Sequence, residues 1–210
     1  YLSNVKDRIL AETGKSLNDP WNLGYFIHNE LAWTRGGLTN DVDVGLATLG
    51  AASTQSAKLA FRDQLVGNYN TIGALNAQWQ TAYASWNDFL VRRDVVPNMP
   101  AAKADLVAFD GLYANQYFSA TQQAMREAAP NHLYLGARFT GSVRLAPAQA
   151  AMAYADVVSI NRYGPDVSVL PAGLAGDVPL ISGEFHFSAN DTGLWSDGLK
   201  TAADQDDRAA

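Results

Sequence analysis

The sequence contains no cysteine. Disulfides, thiolate metal sites and cysteine nucleophiles are thereby excluded. It has no apolar run approaching the ~18 residues of a membrane span, so no membrane partner is expected. Positive charge is scarce: 15 Lys plus Arg stand against 21 Asp plus Glu, for a net charge of -6. Phosphate binding needs clustered cations, so nucleic acid is not an expected partner. No phosphate-binding loop, dinucleotide fingerprint, internal repeat or low-complexity tract is visible, and no cofactor is expected.

What remains is globular. Apolar residues make up 48% and charged residues 17% of the 210 positions, which excludes general disorder. The mean hydropathy of -0.13 is that of a soluble protein. The length suits one domain or somewhat more. Five Trp, nine Tyr and eight Phe supply a core, and they could also furnish faces for sugar rings. The acidic balance fits a neutral glycan better than an anionic one. The chain starts at Tyr1 without a basic-then-apolar leader and ends in Asp-Gln-Asp-Asp-Arg-Ala-Ala. Both ends read as cut from a longer protein.

The apolar spacing predicts helices over 1–15, 56–69 and 102–128, and an Ala-rich helix over 146–154. Residues 34–55 read as loop with one short helical turn at most. Residues 71–90 read as a helix followed by an aromatic loop, and Pro97 and Pro100 as breaks. Four runs read as buried strands: 23–27, 132–139, 156–161 and 178–185. Strands apolar throughout are typical of parallel sheets covered on both faces. The starts near 132, 156 and 179 leave room for short crossovers. Polar residues follow each apolar run, and in a parallel α/β barrel the chemistry sits at those strand ends.

Two carboxylates occupy such ends. Glu30 follows Tyr25-Phe-Ile-His-Asn29, and Glu184 follows Pro179-Leu-Ile-Ser-Gly183. Either could be a solvated acid or half of an ion pair. Together they could face each other across a cleft, as glycoside hydrolysis requires: one carboxylic acid protonates the leaving oxygen, and one carboxylate attacks carbon or activates water. His28, Glu30 and His186 could be drawn as a metal site, but no other ligand falls at metal-site spacing, and none is assigned.

In its residue context this pair resembles a known family. Asp19-Pro-Trp-Asn-Leu-Gly-Tyr-Phe-Ile-His-Asn-Glu30 resembles the acid/base strand of the retaining glycosidases of the large (β/α)8-barrel clan, where Asn-Glu closes strand four. Pro179-Leu-Ile-Ser-Gly-Glu-Phe-His-Phe187 looks like that clan's nucleophile strand seven. Asn131-His-Leu-Tyr-Leu-Gly-Ala-Arg-Phe139 looks like strand five and Asp156-Val-Val-Ser-Ile-Asn-Arg-Tyr163 like strand six. Leu75-Asn-Ala-Gln-Trp79 and Ser85-Trp86 look like the helix and loop over the cleft. The likeness is greatest to agarase-type enzymes of glycoside hydrolase family 50, with family 42 β-galactosidases more distant.

The resemblance implies an α/β fold: a partial TIM (β/α)8 barrel holding strands four to seven. Residues 1–210 would be one fragment of the catalytic domain, with 32–131 as a helical and loop insertion over the cleft. It implies Glu30 as acid/base and Glu184 as nucleophile, with Asn29 on the sugar hydroxyl beside the anomeric carbon. Tyr163 would hold Glu184 or simply pack. Arg138 would orient a carboxylate or form a structural ion pair. Asn161, Trp33, Trp86, Trp195 and His186 complete the substrate-binding candidates, although core packing accounts equally well for His186 and for about half of the tryptophans. His28 stands where the agarase-type pattern has an acidic residue. The implied partner is agarose or a related galactan, with a β-galactosidase or a non-catalytic sugar-binding protein as alternatives. The parent protein would be secreted or periplasmic, its signal peptide not visible in this chain. With strands one to three and eight missing, open sheet edges are expected to make the chain self-associate and to leave it little activity.

Overall fold

The computed structural model describes residues 2–31, 33, 41–166, 173–174, 176–193 and 198–210. Along the chain, α1 (Leu2–Thr13) leads to β1 (Gly24–Tyr25). Four helices follow: α2 (Asp43–Leu49), α3 (Ser56–Tyr69), α4 (Ile72–Trp79) and α5 (Trp86–Val91). The 30-residue α6 (Met99–Ala128) comes next, then β2 (Leu133–Tyr134), β3 (Arg138–Phe139), α7 (Leu145–Tyr154) and β4 (Val158–Ile160). β5 (Leu180–Ile181), β6 (Ser188–Ala189), β7 (Thr201–Ala202) and α8 (Gln205–Ala209) complete the order. Residues 1–31 with 117–210 form one compact unit, and 32–116 form another.

In the first unit every strand pairing is parallel: β1 with β2, β3 with β4, β4 with β5, and β6 with β7. Parallel bridges Asn29↔Arg138 and Arg162↔Phe185 extend these ladders toward the carboxyl ends of the strands. The extended segments 24–30, 133–139, 158–162 and 180–185 therefore run side by side in one direction. The central one is sealed, with Val158 1% and Ile160 5% exposed. The mixed helix and strand content and the parallel pairing agree with the sequence reading.

Several details differ. Residues 132–139 are two strands, because Gly136 adopts φ 73 between them. The run at 178–185 is not buried: β5 lies at the edge of its sheet, with Leu180 41% and Ile181 40% exposed. Leu23 is exposed as well, so the first run is also an edge. Trp86 opens a helix instead of lying in a loop, because the Ser85 hydroxyl accepts from Asp88 N and the Asp88 carboxylate from Ala84 N. Pro100 sits inside the first turn of α6, where a missing N–H costs nothing. α2 is a full seven-residue helix within the stretch read as loop.

The second unit has its own core around Phe61, Leu65, Leu75, Trp79, Phe89, Leu106 and Phe109, with the Phe61 and Phe109 rings stacked at 4.3 Å. Asp105 and Lys58 are among the polar groups buried with it. Asp105 accepts from the Tyr69 hydroxyl at 2.6 Å, Trp79 Nε1 at 2.8 Å and Asn68 at 2.9 Å. Burial, followed by the bond to Asp105, pushes the Tyr69 phenol up to about 12. Lys58 is fully buried, and its ammonium donates to the carbonyls of Leu49 (2.7 Å), Ala51 (3.2 Å) and Arg92 (2.8 Å). One cation thus satisfies the last carbonyls around the carboxyl ends of α2 and α5. Replacing Lys58 with Met should leave these carbonyls without their donor and destabilise this unit by roughly 2–4 kcal/mol. The shift of the urea midpoint checks this.

Candidate active site

Glu30, Arg138, Asn161, Tyr163 and Glu184 of the first unit meet at the carboxyl ends of the parallel segments. Their placement begins with a change of phase in the ladder. Leu133 N and Leu135 N donate to Leu23 O and Tyr25 O, each at 3.0 Å, in the two-residue repeat of a parallel pair. Continued regularly, Ile27 N would bond Leu135 O. It bonds Gly136 O instead, at 2.9 Å. Arg138 N then donates to His28 O at 3.4 Å, and Glu30 N to Arg138 O at 2.8 Å. Each strand has taken one residue more than the repeat. The two extra residues are left-handed: Gly136 at φ 73 and His28 at φ 71. Side-chain alternation resumes on the opposite face of both strands, which redirects Glu30 and Arg138.

Around Glu184 the donors converge. Arg138 Nη1 lies 3.2 Å from Glu184 Oε1, in an ion pair whose partners are about one-third exposed, at 31% and 30%. The Tyr163 hydroxyl donates to Glu184 Oε2. The backbone is fixed too, because Arg162 N donates to Glu184 O at 2.7 Å and Ser182 Oγ to the same oxygen at 3.1 Å. The approach requires Gly183: a Cβ there would lie 2.4 Å from Ser159 Oγ and 2.8 Å from Arg138 Cδ. The Arg138 guanidinium also covers the Phe26 ring, 5.5 Å from its centre.

Glu30 has a different setting. It is exposed, and its Oε1 accepts from the buried Asn161 Nδ2 at 2.8 Å. Asn29 is exposed beside it, its backbone bridged to Arg138. The structure thus brings together Glu30, Arg138, Asn161, Tyr163 and Glu184, with Asn29 adjoining. Asn161 bonds the first carboxylate directly, a contact that its position after an apolar strand does not reveal. The remaining candidates have other neighbours. His186 packs against Gly198, whose added Cβ would lie 2.7 Å from His186 Nε2. Trp33 is buried against Tyr113, and Trp86 packs on Phe89, both within the second unit. Trp195 lies outside the described residues.

Tyr163 reports on this arrangement. Its hydrogen bond to Glu184 pushes its phenol above the ordinary tyrosine value; desolvation and the negative charges of Glu184 and Glu30 add to this, and Arg138 opposes it. Glu184→Gln removes a charge that disfavours the phenolate, so the Tyr163 pKa should fall toward the ordinary value. An alkaline absorbance titration of wild type against variant, with Tyr163→Phe to assign the phenol, measures the change.

No family model matches the chain. Individual proteins do. Beta-agarase B of Vibrio sp. (strain JT0107) is 36% identical over 224 aligned residues, which cover 100% of this chain and 23% of the relative. Beta-agarase A of the same organism is 35% identical, over 91% of this chain and 21% of the relative. Among solved structures, the agarase AgWH50C superposes with a TM-score of 0.84 at 31% identity, and an exo-beta-agarase with 0.83 at 34%. Each match covers 99% of this chain and 30% of the solved one. The chain spans less than a quarter of the length of the curated relatives it matches. Throughout that span, in sequence and in backbone, it is related to the agarases of glycoside hydrolase family 50 type.

Proposed function

We propose that the chain carries the catalytic carboxylate pair of a retaining glycoside hydrolase that cleaves β-galactosidic bonds in agarose. One observation carries the reading. The two glutamates lie on parallel segments with unlike partners: Glu184 is bonded by a cation and a phenol, while Glu30 is exposed beside one neutral amide. Unlike surroundings give two carboxyl groups different roles in one reaction. The 35–36% identity to beta-agarases supports the choice of substrate.

In the proposed reaction, a Glu184 oxygen attacks the anomeric carbon as the glycosidic C–O bond breaks. The departing oxygen takes the proton of Glu30, and a galactosyl ester forms on Glu184. Glu30, now a carboxylate, removes a proton from water as the water oxygen displaces Glu184, and the sugar leaves with its original configuration. Arg138 and Tyr163 hold Glu184 for attack, and Asn161 holds Glu30. Asn29 is assigned to the sugar hydroxyl next to the anomeric carbon, a bond that strengthens in the transition state. Trp33, Trp86, Trp195 and His186 stay assigned to contacts with the sugar chain.

The same reading treats segments 24–30, 133–139, 158–162 and 180–185 as strands four to seven of a (β/α)8 barrel, and 32–131 as a helical insertion between the first two of them. The parent is then a secreted or periplasmic polysaccharidase. Exposed Leu23, Leu180 and Ile181 on the edge segments support self-association of the chain by itself. The chain should release oligosaccharides from agarose slowly. Glu184→Gln and Glu30→Gln should each lower that release about 100-fold or more, as read by product chromatography. Equal release by both variants and wild type would overturn the assignment.

A further inference from the structure

The phase change ahead of Glu30 contains two left-handed residues, His28 and Gly136, with Glu30 itself following at φ 47, and the first two are not equivalent. Gly136 has no Cβ and takes φ 73 freely. His28 takes φ 71 with a bulky side chain, where such backbone is uncommon. Something must hold it. The fixed partner is Tyr117 on α6: its hydroxyl is hydrogen-bonded to His28 Nδ1, and the two rings lie 5.7 Å apart, centre to centre. The helical position of Tyr117 is secured in turn, because its carbonyl accepts from Thr121 Oγ1 at 2.7 Å and the neighbouring Phe118 is fully buried against Phe139.

We propose that Tyr117 is a positioning residue for the Glu30 carboxyl, acting through His28. The phenol pins the imidazole, the pinned imidazole fixes the left-handed turn, and the turn sets the face on which Glu30 emerges to meet Asn161. Without the phenol, residues 27–30 can return to the regular two-residue repeat, which points Glu30 away from Asn161. The catalytic meaning of this latch rests on the acid/base role proposed for Glu30. The geometry itself does not.

Asn161 supplies the readout, because its Nδ2 is the donor to Glu30 Oε1. In the 15N-labelled chain, Glu30→Ala should move the Asn161 side-chain amide resonance and so define the unbonded position. Tyr117→Phe should carry that resonance most of the way to the same position, with the remaining backbone amides undisturbed. Where Tyr117→Phe does not fold, His28→Phe serves, because it keeps the bulk and the unfavourable angle but has no nitrogen to bond the phenol. An Asn161 resonance that moves in Glu30→Ala and stays at its wild-type position in Tyr117→Phe or His28→Phe overturns the proposal, as does one that Glu30→Ala fails to move. In agarose hydrolysis, Tyr117→Phe should lower kcat about tenfold with little change in KM. A wild-type chain without turnover contradicts the proposed function and leaves the amide test of the latch intact.

Discussion

One residue, Arg138, touches both halves of the candidate site. Its backbone carbonyl accepts the Glu30 N–H at 2.8 Å, and its guanidinium lies 3.2 Å from the Glu184 carboxylate. The main chain of β3 thus holds the backbone of Glu30, while the side chain of Arg138 meets the Glu184 carboxylate. Other contacts refine this arrangement. Phe26 lies under the guanidinium, Gly183 lets it approach, and Tyr163 takes the second oxygen of Glu184. Substituting Arg138 would release the Glu184 carboxylate and leave the main-chain bond to Glu30 N in place, whereas loss of Asn161 would release the Glu30 carboxylate.

Arg138 can do this because the ladder changes phase just before it. In an unbroken parallel pair its side chain would fall on the other face, away from β4 and the Glu184 segment. Gly136 and His28 each supply one extra residue at the same level, so the register of the strands is conserved while their faces are exchanged. A matched irregularity of this kind leaves the hydrogen bonds intact. Its cost falls on the left-handed backbone of His28 at φ 71 and Glu30 at φ 47, roughly 1–2 kcal/mol each. The sheet elsewhere keeps to parallel pairing, and the sealed strand β4 gives Ser159 and Asn161 fixed positions under the site.

Much of this was legible in the sequence, and for definite reasons. Leu2, Val5, Ile9 and Leu10 repeat at helical spacing, and α1 follows. Glu30 and Glu184 stand at the ends of apolar runs, where a charge in a parallel fold meets the mouth of the sheet. The sequence misleads where a local pattern has two outcomes. Pro179-Leu180-Ile181 reads as interior, yet it forms an edge, because apolar content does not tell which strands have neighbours on both sides. Residues 132–139 read as one strand, and Gly136 is the point at which that run divides. The burial of Lys58 and Asp105 depends on carbonyls and donors brought in from distant segments. The bond from Asn161 to Glu30 joins residues 131 positions apart, and no spacing rule encodes it.

Glu184, held between Arg138 and Tyr163, is the group proposed to bond to carbon. A galactoside with fluorine at C2 and a good leaving group slows the second step and lets the ester accumulate. After incubation and proteolysis, mass spectrometry should find the fluorogalactosyl group on the peptide that contains Glu184, with none in Glu184→Gln. Label on Glu30 or on another residue, or the same labelling in Glu184→Gln, would contradict the account.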